Sequence, residues 1–357
     1  MTSARRIALF GDLLDFTADP GLDAPDGPGV RFRPGHWLLV EDGRIVAAQA
    51  APPGEDWQRH EHPGRLILPG FVDTHVHSAQ VDVIGAWGAQ LLDWLENHAF
   101  PAEQRFADPV HALQMSHLFL QSLLAHGTTA ACVMPTVHPA SVEALFEAAH
   151  ARGMRVIAGK LLMDRHAPPA LCDEVETAEK ECQALIERWH GHGRLAFAVT
   201  PRFAPTSSEA QLAMAGRLLR RVPELYVQTH LAENLEEVHW VRQLFPAARS
   251  YLEVYAEHGL LTARSIFAHG IWLDEADRRR LHEAGAQIAH CPSSNLFLGS
   301  GRFDWSAARA AGVAVSRGSD VGGGTSLSLR RTMPGAYKVQ ALEGRRVTAF
   351  ALLHAAT

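Results

Sequence analysis

From residue 66 onward, short apolar runs alternate with longer amphipathic stretches. Runs rich in Val, Ile, Leu, Phe and Ala read as buried strands at Leu66–Thr74, Thr129–Met134, Arg155–Leu162, Leu195–Phe203, Leu225–His230, Ser265–His269, Ala286–His290 and Val313–Ser319. Helical spacing of apolar positions fills the gaps, as at His111–Ala125, Val142–Arg152, Glu209–Arg221 and Asp274–Ala284. Eight strand–helix units predict an α/β chain folded as a (β/α)8 TIM barrel, with an open doubly wound sheet as the alternative that pattern alone leaves standing.

The pattern before residue 66 differs. Arg6–Phe16 and His36–Gln49 read as extended pieces, and Asp42-Gly43 between apolar runs is a strong hairpin signal. The Pro- and Gly-rich stretch ADPGLDAPDGPGV between them marks a loop. Residues 1–65 are thus expected to form a small β-sandwich domain and residues 66–357 the barrel. No strand pattern follows the last helical stretch, so the small domain is expected to be incomplete. The connection after the first barrel strand, residues 78–110, is unusually long and carries Trp87, Trp94 and Phe100. Such a connection is where substrate loops belong, although Trp94 reads equally well as a core aromatic.

Composition narrows the function classes. With 33 basic against 39 acidic residues among 357 and a net charge of -6, nothing points to a nucleic-acid or anionic-membrane partner. The charges of Glu174–Glu181 read as a solvated helix face. Cys132, Cys172, Cys182 and Cys291 are widely spaced, which predicts reduced thiols rather than disulfides or a thiolate metal site. The apolar run near the N-terminus is too short for a signal-peptide core, and no segment approaches the ~20 apolar residues of a membrane span. A cytoplasmic enzyme is expected.

Candidate chemistry gathers at the strand ends. His75 and His77 share one side of their strand, because side chains at i and i+2 do. Later strands end in Arg202-Phe203, in His230 followed by Glu233, in His269, and in Asp320. Each has a plain structural reading: a hydrogen-bonded histidine, a first-turn acid at Glu233, a cap or turn residue at Asp320. All of these would have to apply together, whereas barrel active sites are assembled from just these positions. Three imidazoles and a carboxylate suit one divalent cation with room for a water. The Gly322–Gly324 run lacks the lysine and the spacing of a phosphate-binding loop.

These residues resemble the amidohydrolase superfamily. Within it, PGFVDTHVHSAQ, LLDWLENHAFPAEQRF, THLAEN, FAHG, AHCPSSNLFLGSG and GSDVGGGTSLSLRR are similar to the guanine deaminases. The resemblance implies that His75, His77, His230 and Asp320 ligate one divalent metal per subunit, zinc or alternatively iron. It makes Glu233 a proton shuttle and His269 the residue that orients the attacking water, with Asp320 accepting the water proton. Gln80, Trp94, Arg202 and Phe203 would hold a purine, and the enzyme would be a homodimer. The carboxylated lysine that bridges two metals in some members is not expected, since strand 4 ends in Arg202 and Lys160 lies on strand 3.

The implied reaction is hydrolysis of guanine to xanthine and ammonia. Arg202 offers a planar fork to a ring carbonyl oxygen, which guanine has and adenine lacks. Two alternatives stand beside it. One is deamination or dechlorination of another amino-heterocycle, such as an 8-oxoguanine, an aminotriazine or an adenosine-like nucleoside. The other is a barrel scaffold without catalysis. The unrelated zinc deaminases carry P-C-x-x-C, which is absent here.

Overall fold

The computed structural model describes residues 5–24, 27–87 and 90–357. These form two compact units: the chain up to Gly70 with Val347–Ala355 and Thr357, and Phe71–Arg346 with Ala356.

The smaller unit is built on one four-stranded sheet in the order β3-β2-β1-β4, from β1 (Arg6–Phe16), β2 (Val30–Glu41), β3 (Arg44–Gln49) and β4 (Gln58–Ile67). Asp42 and Gly43 turn the β2–β3 hairpin with φ of 50° and 77°, the positive values that a two-residue turn demands. Ala8, Trp37 and Leu39 form its core. The fourth strand escaped the sequence reading because QRHEHPGRLI is polar, exposed along nearly all its length and interrupted by Pro63-Gly64. It pairs parallel to β1 at the sheet edge, where Pro is tolerated, and the register jumps from Phe10↔Glu61 to Asp12↔Leu66 across that interruption.

One expectation needs correcting here. Leu66–Thr74 is two strands: Leu66 and Ile67 end β4, and β5 (Phe71–His77) starts the larger unit after Pro69-Gly70. His75 and His77 stand at the C-terminal end of β5, where the spacing placed them.

The larger unit is a parallel sheet wrapped by helices. After β5 come β6 (Thr128–Met134), β7 (Arg155–Ala158), β8 (Leu161–Leu162), β9 (Leu195–Pro201), β10 (Tyr226–Leu231), β11 (Ser265–His269), β12 (Gln287–His290) and β13 (Ala314–Arg317). The predicted third strand is broken at Gly159-Lys160 into β7 and β8, both of which pair with β9. Counted as one, they leave the eight positions that the alternation predicted, in chain order around the sheet. The two ends of the sheet meet: the Asp320 amide donates to the His75 carbonyl at 2.9 Å, the His77 amide to Val321 at 3.0 Å, and the Thr74 hydroxyl to Arg317 at 3.0 Å. The result is a nearly closed α/β barrel. The four helices read from the sequence lie within Pro109–Ala125, Pro139–Ala151, Glu209–Arg221 and Glu275–Ala284, give or take a terminal residue. No helix among the described residues is long and apolar enough to cross a membrane. All four cysteines are free thiols.

The break at Gly159 is a close approach of backbones. A Cβ placed there would stand 1.7 Å from the Ala198 carbonyl oxygen on β9, a neighbour that cannot swing aside. Gly159→Ala is therefore expected to cost about 3 kcal/mol or more through overpacking. Thermal melting checks this, and an unchanged melting temperature would show that the β7–β9 contact is looser than described.

A candidate metal and purine site at the barrel mouth

The strand-end residues converge. The Nε2 atoms of His75 and His77 lie 3.1 and 3.3 Å from Asp320 Oδ1. His77 Nε2 is 3.2 Å from His230 Nε2, and His269 Nε2 is 3.8 Å from Asp320 Oδ2. Ligand atoms of His75, His230, His269 and Asp320 all fall within 4.8 Å of one another. The sequence reading placed His77 among the ligands and His269 beside them. The structure puts His269 inside that group of four and His77 beside it, 3.2 Å from His230 and 3.3 Å from Asp320.

Local folding fixes these side chains. The alternation of β5 sends Asp73, His75 and His77 to one side. His230 Nδ1 bonds to the Arg202 carbonyl at 2.6 Å, and His269 Nδ1 to Asn295 Oδ1 at 2.8 Å. An Nδ1–H donated outward leaves the Nε2 lone pair facing the cluster, the tautomer a metal ligand requires. Tyr255 supports His230 from behind by donating to its carbonyl at 2.9 Å. The Asp73 carboxylate ties β5 to the loop after β13, accepting from the Ser319 amide at 3.0 Å. Burial pushes its carboxyl up to about 7. His269 and Asp320 have φ of 71° and 51°, a left-handed conformation that costs of order 1–3 kcal/mol at a residue with a side chain and recurs at functional sites.

The protonation states suit a cation. Burial lowers the His75 imidazolium's pKa, brings that of His77 down to about 4 and holds that of His230 well below its ordinary value, so all three rings are neutral. Burial works against ionisation of Asp320 as well, but where His75 carries a proton its charge, with hydrogen bonds from His75 and His77, holds the carboxyl well below the usual range, so the cluster shares its protons rather than titrating as separate groups. Nε2 of His75 and of His269 are buried and make no hydrogen bond of good geometry among the described residues. An orphaned buried acceptor costs roughly 1–3 kcal/mol. A divalent ion satisfies both at once, and the imidazole–carboxylate set fits zinc or iron.

Glu233 stands next to this cluster. Its Oε2 is 3.3 Å from His269 Nε2, and its Oε1 accepts from the Ser300 hydroxyl at 3.0 Å. Burial, then the negative charges of Asp320 and Glu237, raise its pKa well above the ordinary value. Two carboxyl groups pushed in opposite directions are the signature of an acid and a base sharing one site.

A pocket opens beside the cluster, lined by Gln80, Trp94, Arg202 and Phe203 together with His77, His230, Glu233 and Asp320. Every residue expected to hold a purine is therefore on its wall. The Trp94 indole N–H is spent on the Ala86 carbonyl at 2.8 Å, so Trp94 contributes an apolar face. Arg202 is buried, with Nη1 bonded to both oxygens of Glu103 at 2.7 and 2.6 Å. Sequence reasoning did not single out Glu103, Asn295, Ser300 or Asp73. All four lie inside the segments that carried the family resemblance, but nothing in their spacing set them apart. Lys160 is elsewhere occupied, 2.6 Å from Asp173 and 3.4 Å from Glu181.

Residues 66–357 match the amidohydrolase family, and the chain belongs to it. Within that family it is 44% identical over 363 residues to the guanine deaminase of Escherichia coli, covering 98% of this chain and 81% of that protein. It is 43% identical over 310 residues to a probable guanine deaminase of Deinococcus radiodurans, covering 87% and 70%. The solved E. coli guanine deaminase superposes with a TM-score of 0.94 over 98% of this chain and 82% of that one. The guanine deaminase of C. acetobutylicum, solved with guanine in its active site, superposes with a TM-score of 0.91 at 26% identity, covering 98% and 84%.

A ligand that binds only the folded chain raises its melting temperature by mass action. Zinc added to chelator-treated protein is expected to raise it by several degrees, and Asp320→Ala to remove that rise. A full rise in Asp320→Ala would take Asp320 out of the ligand set.

Proposed function

We propose that this chain hydrolyses guanine to xanthine and ammonia. The observation that carries the reading is one cavity in which a buried guanidinium and a carboxamide, Arg202 and Gln80, face the cluster of imidazoles and Asp320. Membership of the amidohydrolase family and likeness to guanine deaminases support it.

Each group has a task that its surroundings suit. Phe203 and Trp94 supply apolar walls for a flat ring. Arg202 spends Nη1 on Glu103 and presents a planar guanidinium to the cavity, suited to a ring carbonyl oxygen in a way that lysine cannot copy. His75, His77, His230 and Asp320 would hold a divalent ion, zinc or alternatively iron, whose chemistry when bound would be to make water a nucleophile at neutral pH. Asp320 accepts the proton lost by the water. Glu233 carries a proton to the ring nitrogen beside the attacked carbon and then to the departing amine. His269, 3.3 Å from Glu233, orients the water between them. A carbon–oxygen bond forms, the exocyclic carbon–nitrogen bond breaks, and ammonia leaves with the transferred proton.

The experiment is ammonia release from a panel of guanine, adenine, 8-oxoguanine and aminotriazines, with metal analysis of the same sample. Guanine is expected to lead. An aminotriazine, 8-oxoguanine or adenine turning over faster would replace the substrate assignment. Glu233→Gln is expected to retain the metal and lose about 10²–10⁴-fold in kcat, the usual worth of a general acid–base. Near-normal turnover in that variant would remove Glu233 from the mechanism. Arg202→Ala is expected to raise KM for guanine while leaving the metal content unchanged, and an unaltered KM would argue for another heterocycle.

A further inference from the structure

We propose that Glu103 is a positioning residue that sets the selectivity of the purine cavity, by fixing Arg202 and Gln80 and by cancelling the charge of Arg202. This rests on the guanine reading and names what tunes it. Glu103 and Arg202 are both buried, at 0% and 2% exposure, and Glu103 is the carboxylate paired with that guanidinium. Both Glu103 oxygens engage Nη1, at 2.7 and 2.6 Å, and Oε1 also accepts from Gln80 Nε2 at 2.9 Å. Gln80 Oε1 in turn accepts from the Gly322 amide at 2.9 Å. The guanidinium carbon stands 5.3 Å from the centre of the Phe100 ring, which supports it from another side.

Three consequences follow. Anchoring at Nη1 fixes where Nη2 and Nε point, so the fork meets a ring carbonyl in one orientation. With its oxygen held by an amide and its nitrogen by a carboxylate, the Gln80 amide cannot flip, so its remaining N–H and lone pair have assigned places. The third consequence is electrostatic. An uncompensated buried guanidinium favours an anion, and xanthine, with one more ring carbonyl than guanine, is the more acidic of the two. Pairing with Glu103 removes that preference, which favours entry of the neutral substrate and release of the product.

The test uses Glu103→Gln, Glu103→Asp, Arg202→Met and the Glu103→Gln/Arg202→Met double variant of the zinc-loaded enzyme, each checked for metal content and melting temperature. Glu103→Gln is expected to raise KM for guanine about tenfold with kcat within about threefold, as for a lost binding interaction away from the reacting atoms. It should also tighten xanthine inhibition relative to the KM for guanine. Glu103→Asp, which keeps the charge, should recover most of the wild-type ratio. In the Arg202→Met background Glu103→Gln should change KM less than about twofold, since residues acting through one another are not additive. A fall in kcat alone, unchanged xanthine inhibition or an equal KM effect in both backgrounds would overturn the proposal. If Glu103→Gln does not fold, comparing Arg202→Met with the double variant decides it, because neither buries an unpaired guanidinium: equal KM supports the role and a further rise overturns it. Wild-type turnover of guanine separately reads the substrate assignment, so the two ideas fail on different measurements.

Discussion

The site depends on withholding water from a group of imidazoles and carboxylates packed within 4 Å of their nearest neighbours. In water such rings would titrate near neutrality and, once charged, repel one another. Burial disfavours the charged form of His75, His77 and His230, which removes that mutual repulsion. The cost is carried by the supporting shell: the Arg202 carbonyl and Asn295 fix two tautomers, and Tyr255 and Asp73 brace the strands behind. The buried Nε2 atoms of His75 and His269 are the acceptors that an ion would satisfy.

The same residues close the barrel. The Asp320 amide bonds to the His75 carbonyl, and the Val321 carbonyl accepts from the His77 amide. The last strand's loop is therefore seated on the first strand by the backbones of the residues whose side chains form the cluster. This explains why a left-handed conformation persists at Asp320: the neighbouring hydrogen bonds over-determine it. Fold closure and site assembly are here one event, so the distance from Asp320 to His75 is set by sheet geometry rather than by a flexible loop.

Much of this was legible in the sequence because it rests on short-range periodicity. Alternation gave the barrel, and spacing of two on a strand put His75 beside His77. Placing polar residues at strand ends brought out His230, His269 and Asp320 without any contact information. What escaped was decided by tertiary context. The β4 strand is polar because it is an exposed edge, so it carries no hydrophobic signal. The gap between β4 and β5 was hidden because apolar residues flank Pro69-Gly70 on both sides. His269 was expected beside the ligands, but its place within the group of ligand atoms follows from the β10–β11 register, in which it stands opposite Leu231, next to His230. Glu103 reads locally as one acid of a helical turn, and only the fold sets it against Arg202, ninety-nine residues away.

The two halves of the site are joined as well as adjacent. Gln80 follows β5 by three residues, and its amide oxygen holds Gly322, two residues beyond Asp320. Through Glu103 the same side chain reaches Arg202, which directly follows β9 and whose own carbonyl fixes His230. A ring held by Arg202 and Gln80 is thus referenced to the backbone that places two of the four proposed ligands. Orientation of substrate against an attacking water needs tolerances of a fraction of an ångström, and independent loops supply them poorly. A hydrogen-bonded circuit through buried, mutually satisfied groups supplies them at the cost of tolerance to substitution. By this argument changes at Glu103 or Gln80 act first on how tightly and in which orientation the ring is held, through the circuit that joins them to Arg202 and Gly322.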